Sequence, residues 1–374
     1  ELKKGKNTAL YRTVCQKFQT KGVQAPIDEA WIAQVDEAAA KQLEKLESDL
    51  SSSRTHLIKE SIRLGFNELG AFHYERGDLN TSLKSYVRSR EYCTNSKQIL
   101  EMCLNVIRVA LELNNVALVN QYVGKAEQSA EAAKDKKDIG KLKVAAGLAN
   151  LDTRKYRPAA RKLIETPLEL GSVYSEVMSA NDIAIFGGLC GLASFDRNEL
   201  KTKLIDNANF KHYLELVPEI REVIKDFYDS RYTTCLSALD RMKDTFMLDI
   251  HLCHHLPTLY EQIRHKALKQ YVSPFMSVNL NKMAQAFNTN TQALEKELAQ
   301  LIMDGGIQAR IDSHNKILYA RRDNERVATF EKAVSTGREF VSETEANIRR
   351  LNMLRNDFQV RTPRMQHSGG GSSP

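Results

Sequence analysis

Apolar residues recur at spacings of three and four along most of the chain, which is the period of an amphipathic helix. Between residues 55 and 260 this pattern comes in pairs of helices that are separated by a short polar turn. The clearest pair covers residues 69–86, turns after Gly77, and places Gly70 and Tyr86 where two antiparallel helices would touch. This arrangement is typical of a tetratricopeptide-type helix pair.

Weaker copies of the pair follow, with polar turns near residues 113–115, 151–154, 195–198 and 229–231. Their spacing drifts between 32 and 44 residues, measured between the equivalent positions Leu79, Val116, Tyr156, Leu200 and Tyr232. The drift indicates a degenerate solenoid, in which each pair buries its apolar face on the next pair. We therefore predict a mainly α chain with a tetratricopeptide-like helical-repeat domain over residues 55–260. Residues 1–54 are predicted to be a basic peripheral arm followed by one helix that breaks at the serines 51–53.

The pattern changes between residues 261 and 322. Helical periodicity predicts helices at 263–272, 280–287 and 291–303. Two segments, 307–311 and 316–320, then alternate between apolar and polar residues across the polar turn 312–315, which predicts a β-hairpin. Three helices followed by a hairpin is the order of a winged helix, a fold that reads a nucleic-acid groove or binds a protein partner.

The pattern of the C-terminal region predicts one long helix over residues 327–360. This helix lies in a C-terminal segment that we predict to span residues 323–362. Positions seven apart from Val327 and from Phe330 form an apolar seam, and the partner-binding residues predicted on it are Val334, Val341, Ile348, Leu351 and Phe358. Such a seam requires partner helices. Its interruptions at Gly337, Thr344 and Arg355 favour a bundle of several helices over a two-stranded coiled coil. Residues 363–374 are predicted to be a flexible tail.

Composition and motifs narrow the possible functions. The net charge of +7 is mild for 374 residues, and the six cysteines are scattered without a Cys-x-x-Cys pair, as expected of reduced core residues in an intracellular protein. No run approaches the roughly 18 apolar residues of a membrane span, so no membrane association is expected. The phosphate-binding, dinucleotide-binding and hydrolase motifs are missing, and neither a catalytic site nor a cofactor is predicted.

A histidine cluster is the one candidate for metal chemistry. His251, His254 and His255 would share one face of a helix that Pro257 ends. No carboxylate in the adjacent turn completes a ligand set, so we interpret the cluster as histidines near a helix end, where the dipole favours positive charge. No metal site is predicted.

The winged-helix unit itself favours protein over nucleic acid. Its third helix carries Glu295, Glu297 and Asp304 against the single cation Lys296, a charge balance that phosphate groups would repel. A two-stranded hairpin, in contrast, has an outer edge that a partner strand can complete. The partner-binding residues predicted on the hairpin are Ile307, Ala309, Ile311, Ile317 and Tyr319.

A helical-repeat domain that runs into a winged helix and a terminal helix resembles the PCI-domain family. This family is named after the proteasome lid, the COP-nine signalosome and a translation initiation factor. The segments that carry the resemblance are QIRHKALKQY at 262–271, MAQAFN at 283–288, LEKEL at 294–298 and QARIDSHNKILYA at 308–320. The stretch RIDSHNKILY at 310–319 favours the signalosome branch of the family over the proteasome-lid branch.

The resemblance implies a non-catalytic scaffold in the complex that removes a ubiquitin-like modifier from the cullins of cullin-RING ubiquitin ligases. The zinc centre would lie in a sister subunit. PCI subunits associate through their winged helices and join their C-terminal helices in one bundle, so the implied partners are other PCI subunits, notably signalosome subunits two and three, and indirectly the cullin-RING ligases. The implied location is cytoplasm and nucleus. Three alternatives stay open: a proteasome-lid PCI subunit, a winged-helix nucleic-acid-binding protein, and a helical-repeat enzyme with an unrecognised site.

Overall fold

The computed structural model describes residue 3 and residues 6–22, 26–133, 135–171, 173–321 and 325–356. Helices dominate it, so the predicted mainly α class is confirmed. The α-helices are α1 Thr8–Thr20, α2 Glu29–Thr55, α3 Lys59–Glu75, α4 Leu79–Ser89, α5 Ser96–Glu112, α6 Val116–Ala133, α7 Lys136–Asp152, α8 Tyr156–Ile164, α9 Ala180–Ser194, α10 Arg197–Glu199, α11 Ala208–Leu216, α12 Pro218–Tyr228, α13 Tyr232–Phe246, α14 Leu256–Val272, α15 Leu280–Ala286, α16 Thr291–Met303 and α17 Glu325–Arg355. Short 3₁₀ turns occur at Arg90–Tyr92 and Leu168–Leu170, and a π-helical segment at Leu200–Ile205 follows α10.

The chain divides into two compact units. Of the described residues, those within 1–274 and 284–289 form the helical unit, and those within 275–283 and 290–356 form the winged unit. Within the helical unit, consecutive helices pack as antiparallel pairs. The predicted turns coincide with residues in the left-handed region, which are Gly77, Asn114, Arg154 and Ser230. The turn predicted at 195–198 has no such residue, because α9 ends there in extended backbone at Phe195.

Close approach of paired helices explains several glycines. A Cβ atom on Gly70 would lie 2.7 Å from the ring of Tyr86, so these two helices meet at the contact that the sequence predicts. Gly188 and Gly191 likewise face Ile220 and Leu204, where a Cβ would again come within 2.7 Å. The glycines near 187–191 therefore serve helix packing, because any larger side chain would force the helices apart.

The N-terminal region departs from the prediction in two ways. Residues 8–20, predicted to be part of a peripheral arm, form α1, which buries Tyr11 and Cys15 against α2. The serines 51–53 do not break α2, which continues to Thr55. The hydroxyls of Ser53 and Thr55 donate to backbone carbonyls one turn earlier, each at 2.8 Å, so these polar side chains are accommodated within the helix. Arg76, in the turn after α3, donates to the carboxylate of Asp36 at 2.7 Å and fastens α2 to the first repeat.

The start of α14 also corrects the prediction. Pro257 does not end a helix but lies in the first turn of α14, where the missing N–H group would have had no helical partner in any case. Because α14 packs against α9 and α13, it belongs to the helical unit, although the sequence predicted it as the first helix of the winged helix.

The predicted hairpin is confirmed, and a third strand joins it. The strands are β1 Ser277–Asn279, β2 Ala309–Asp312 and β3 Ile317–Ala320, all antiparallel in the order β1-β3-β2. Val278 lies opposite Leu318, and Ile311 lies opposite Leu318 on the other side. Leu318 is buried on the central strand, and Leu294 and Leu298 on α16 are buried as well.

Candidate protein-interaction surfaces

The outer edge of β2 is the first candidate surface. The N–H of Arg321 donates to the carbonyl of Gln308 at 2.9 Å, so position 308 is a hydrogen-bonded position of the β2–β3 pair. Bonded and non-bonded positions alternate in an antiparallel pair. The backbone N–H and C=O groups of Ala309 and Ile311 therefore point away from β3, along the outer edge. No described strand pairs with that edge.

On the side of β3 that faces away from β2, the backbone groups form hydrogen bonds with β1 and its flanking residues. Ala320 donates its N–H to Met276 at 2.9 Å, and Leu280 donates to the carbonyl of Lys316 at 2.8 Å. The central strand thus has partners on both sides. The described sheet consequently offers its unpaired backbone groups along β1 and β2 rather than along β3.

The hairpin side chains predicted to bind a partner differ in accessibility. Ile307 and Ala309 are buried, and Ile311 and Ile317 are half-buried. Tyr319 is 45% exposed. Side-chain contacts at this surface are therefore available chiefly from Tyr319, and the contribution of Ala309 and Ile311 would come from their backbone groups.

The turn between β2 and β3 is held by the side chain of Asp312. Its carboxylate accepts hydrogen bonds from the backbone N–H groups of His314 and Asn315, both at 3.1 Å, and from the amide of Asn315 at 2.9 Å. The hydrogen bond from the Asn315 backbone is the main reason that the pKa of Asp312 lies below its usual value. Lys316 follows with a positive φ of 56°. These contacts fix the hairpin and the direction of its free edge.

Charges on α16 are partly neutralised by the hairpin. The Nζ of Lys316 lies 2.8 Å from the carboxylate of Glu295, whose side chain is only 17% exposed. The ion pair removes one of the hairpin cations that could have met a phosphate backbone. Only Lys296 supplies positive charge on α16, so the surface does not favour nucleic acid.

Helix α17 carries the second candidate surface, an apolar stripe along its length. The exposed members are Val327 49%, Phe330 68%, Phe340 69%, Val341 56%, Ile348 52% and Leu351 65%. Val334 is half-buried, and the predicted Phe358 lies outside the described residues. Phe340 was not predicted, because it lies beside the positions seven apart rather than on them. Within the winged unit no described strand or helix packs along α17.

The three histidines do not form a ligand set. His255 is buried at the start of α14, with its Nδ1 3.4 Å from the hydroxyl of Tyr156 and its Nε2 3.8 Å from Asp152. Burial is the main cause of a lowered pKa for His255. His251 and His254 lie in turns rather than on the predicted helix. In the described part of the chain no group of three or more His, Cys, Asp or Glu side chains is placed to hold a metal ion.

None of the described helices is both long and apolar enough to cross a membrane.

Comparison with known families agrees with this architecture. Residues 28–203 match the family described as 26S proteasome subunit RPN7, and residues 211–322 match the PCI domain. Together with the helical repeat and the winged unit, these matches define a PCI-domain protein.

Individual relatives then separate the branches of the family. COP9 signalosome complex subunit 1 of Arabidopsis thaliana is 51% identical over 365 residues, which is 97% of this chain and 82% of that protein. COP9 signalosome complex subunit 1b of Drosophila melanogaster is 42% identical over 92% of this chain and 66% of its own length. 26S proteasome non-ATPase regulatory subunit 6 of Caenorhabditis elegans is 23% identical over 87% of the chain. The chain belongs to the family of COP9 signalosome complex subunit 1, so the predicted signalosome branch is confirmed.

Proposed function

We propose that this chain is a non-catalytic scaffold subunit of a signalosome, and that it holds its neighbours through the apolar stripe of α17 and the outer edge of β2. The observation that carries the proposal is the exposure of the stripe. Helix α17 has 31 residues, and eight of its large apolar side chains, the six of the stripe together with Met353 and Leu354, are about half or more exposed. An exposed apolar surface of this extent marks a protein-interaction site.

The stripe fits a bundle of several helices better than a single partner helix. Val341 and Ile348 lie on the predicted seam, whereas Phe340 lies beside it and widens the apolar surface. Gly337 leaves open space beside Phe340, since nothing lies within 4 Å of the position a Cβ would take. A wide apolar stripe with open space at Gly337 can receive side chains from more than one neighbouring helix.

Membership of the family supports a proposal for the partners. Other PCI subunits, notably signalosome subunits two and three, would pair with the winged unit, and the C-terminal bundle would receive α17. The chain would act on cullin-RING ligases only indirectly, while a sister subunit carries out removal of the ubiquitin-like modifier. We propose that it works in both cytoplasm and nucleus.

Truncation tests the role of α17. A chain ending at residue 326 should fail to enter the large complex when it is co-expressed with the other subunits. Its helical unit should unfold at the same temperature as in the full chain, because α17 is absent from that unit. The matched control is a chain that lacks only residues 363–374, which should assemble normally. Normal co-purification of the chain ending at 326 would refute the proposal.

A further inference from the structure

A cleft of about 890 Å³ opens in the helical unit. Its walls come from the ends of α5 and α7, the start of α9, and the segment 248–255 that connects α13 to α14. The cleft is therefore built from several repeats and one connecting segment.

The connecting segment presents two aliphatic side chains to solvent at the cleft. Leu248 is 85% exposed and Ile250 is 83% exposed. Between them, the carboxylate of Asp249 accepts hydrogen bonds from the backbone N–H groups of His251 at 2.8 Å and Leu252 at 3.0 Å. Leu252 is fully buried and anchors the segment. The two aliphatic side chains are thus displayed by a fixed turn, which lowers the entropy lost when a partner covers them.

The charge at the cleft is acidic. Its carboxylates are Glu112, Asp152, Glu176, Asp182 and Asp249, and its only Lys or Arg side chain among the lining residues is Arg108. Arg108 is already engaged, because its guanidinium lies 2.7 Å from Glu176 and donates to the Tyr74 hydroxyl at 3.0 Å.

The Tyr74 hydroxyl in turn donates to the carboxylate of Glu112. Burial and this bond raise the pKa of Tyr74 to about 12. The tyrosine therefore stays neutral at physiological pH and adds no charge to the cleft.

We infer that this cleft docks an extended segment of a partner protein in which aliphatic residues alternate with Lys or Arg. The aliphatic side chains would cover Leu248 and Ile250, and the cations would meet the carboxylates of the opposite wall. Alternate residues of an extended segment point to opposite sides, so one segment can satisfy both requirements. This inference does not depend on the stripe of α17 or on the edge of β2.

Three labelled peptides of equal length test the inference by fluorescence anisotropy with the full chain. One alternates Leu with Lys, one alternates Ser with Lys, and one alternates Leu with Glu. The Leu–Lys peptide should bind about tenfold or more tightly than either of the others, because it alone supplies both the apolar and the charged contact.

Variants locate the binding. Leu248→Ser combined with Ile250→Ser should weaken binding of the Leu–Lys peptide about tenfold, to the affinity that the Ser–Lys peptide has for the unchanged chain. These side chains are exposed, so the change should leave the fold intact. The matched control is Leu57→Ser with Ile58→Ser, which removes two other exposed aliphatic side chains (81% and 51%) from the turn before α3 and should leave the affinity unchanged.

The charge requirement has its own variant pair. Glu112→Gln with Glu176→Gln should weaken binding of the Leu–Lys peptide. The same change should leave binding of the Leu–Glu peptide unchanged or slightly tighter. Glu37→Gln with Glu44→Gln on α2 removes the same charge away from the cleft and serves as control. Equal losses in test and control variants would overturn the inference, as would equal binding of the Leu–Glu and Leu–Lys peptides.

Discussion

Replacing Ile348 and Leu351 by alanine is the sharpest test of the apolar stripe on α17. Both side chains are exposed in the isolated chain, at 52% and 65%. Alanine favours the helix more than isoleucine does, so the helix itself should persist. The stability of the isolated chain should therefore change by no more than about 0.5 kcal/mol.

The expected loss of assembly follows from the exposed fractions. Full burial of a Leu or Ile side chain contributes about 1.5–3 kcal/mol, so covering the exposed half to two-thirds contributes about 1–2 kcal/mol for each residue. Truncation to alanine should remove most of this, about 2–3 kcal/mol for the pair. That corresponds to a dissociation constant about 30- to 150-fold higher.

The assay is a titration of the labelled chain with the remaining subunits, with the dissociation constant as the readout. The control variant combines Glu343→Ala and Arg350→Ala, two exposed residues on the opposite side of α17 whose removal leaves the net charge unchanged. It should change the dissociation constant by less than about threefold, since exposed charges contribute little. If the stripe variant binds as tightly as the control, α17 does not bury its apolar stripe in the complex.

Three further predictions test the fold and the sheet edge. Gly70→Ala should destabilise the helical unit by about 1–3 kcal/mol in denaturant unfolding, because the new Cβ would strike the Tyr86 ring, whereas Gly124→Ala, with nothing within 4 Å, should not. The pKa of Glu199 is about 2, below its usual 4.5, because its carboxylate accepts hydrogen bonds from Lys203, Arg161 and Arg157. Glu199→Gln should therefore lower the free energy of unfolding by about 1–3 kcal/mol at neutral pH. This difference in unfolding free energy between the variant and the unchanged chain should shrink as the pH falls from 4.5 through 2. A difference that does not change with pH would contradict the prediction. Ala309→Pro removes an outward N–H and should weaken pairing with a neighbouring PCI subunit in a pulldown, while it lowers stability less than Arg310→Pro, which breaks the β2–β3 ladder.

The sequence was most informative where local pattern and packing agree. The turn at Gly77 and the contact of Gly70 with Tyr86 could be predicted, because small residues, a polar turn and apolar periodicity all indicate one helix pair. The β2–β3 hairpin could be predicted from its alternation and its polar turn. In both cases the residues that decide the structure are close in sequence.

Other features depended on contacts between distant residues. Strand β1 has only three residues, and it exists because Met276 and Val278 meet β3 some 40 residues later. Pro257 gave a misleading signal, because a proline can end one helix or occupy the first turn of the next. Burial of Ile307 and Ala309 could not be read from alternation alone, which identifies a face but not what covers it.

The two surfaces of the winged unit should make different contributions to assembly. The stripe on α17 acts through apolar area, which is not directional and can be shared among several neighbouring helices. The edge of β2 acts through directional hydrogen bonds of the backbone groups of Ala309 and Ile311, so it accepts one partner strand. Loss of the stripe should therefore weaken attachment to the bundle as a whole, whereas loss of the edge should affect one neighbour. A scaffold that uses both can combine overall affinity with a fixed order of subunits.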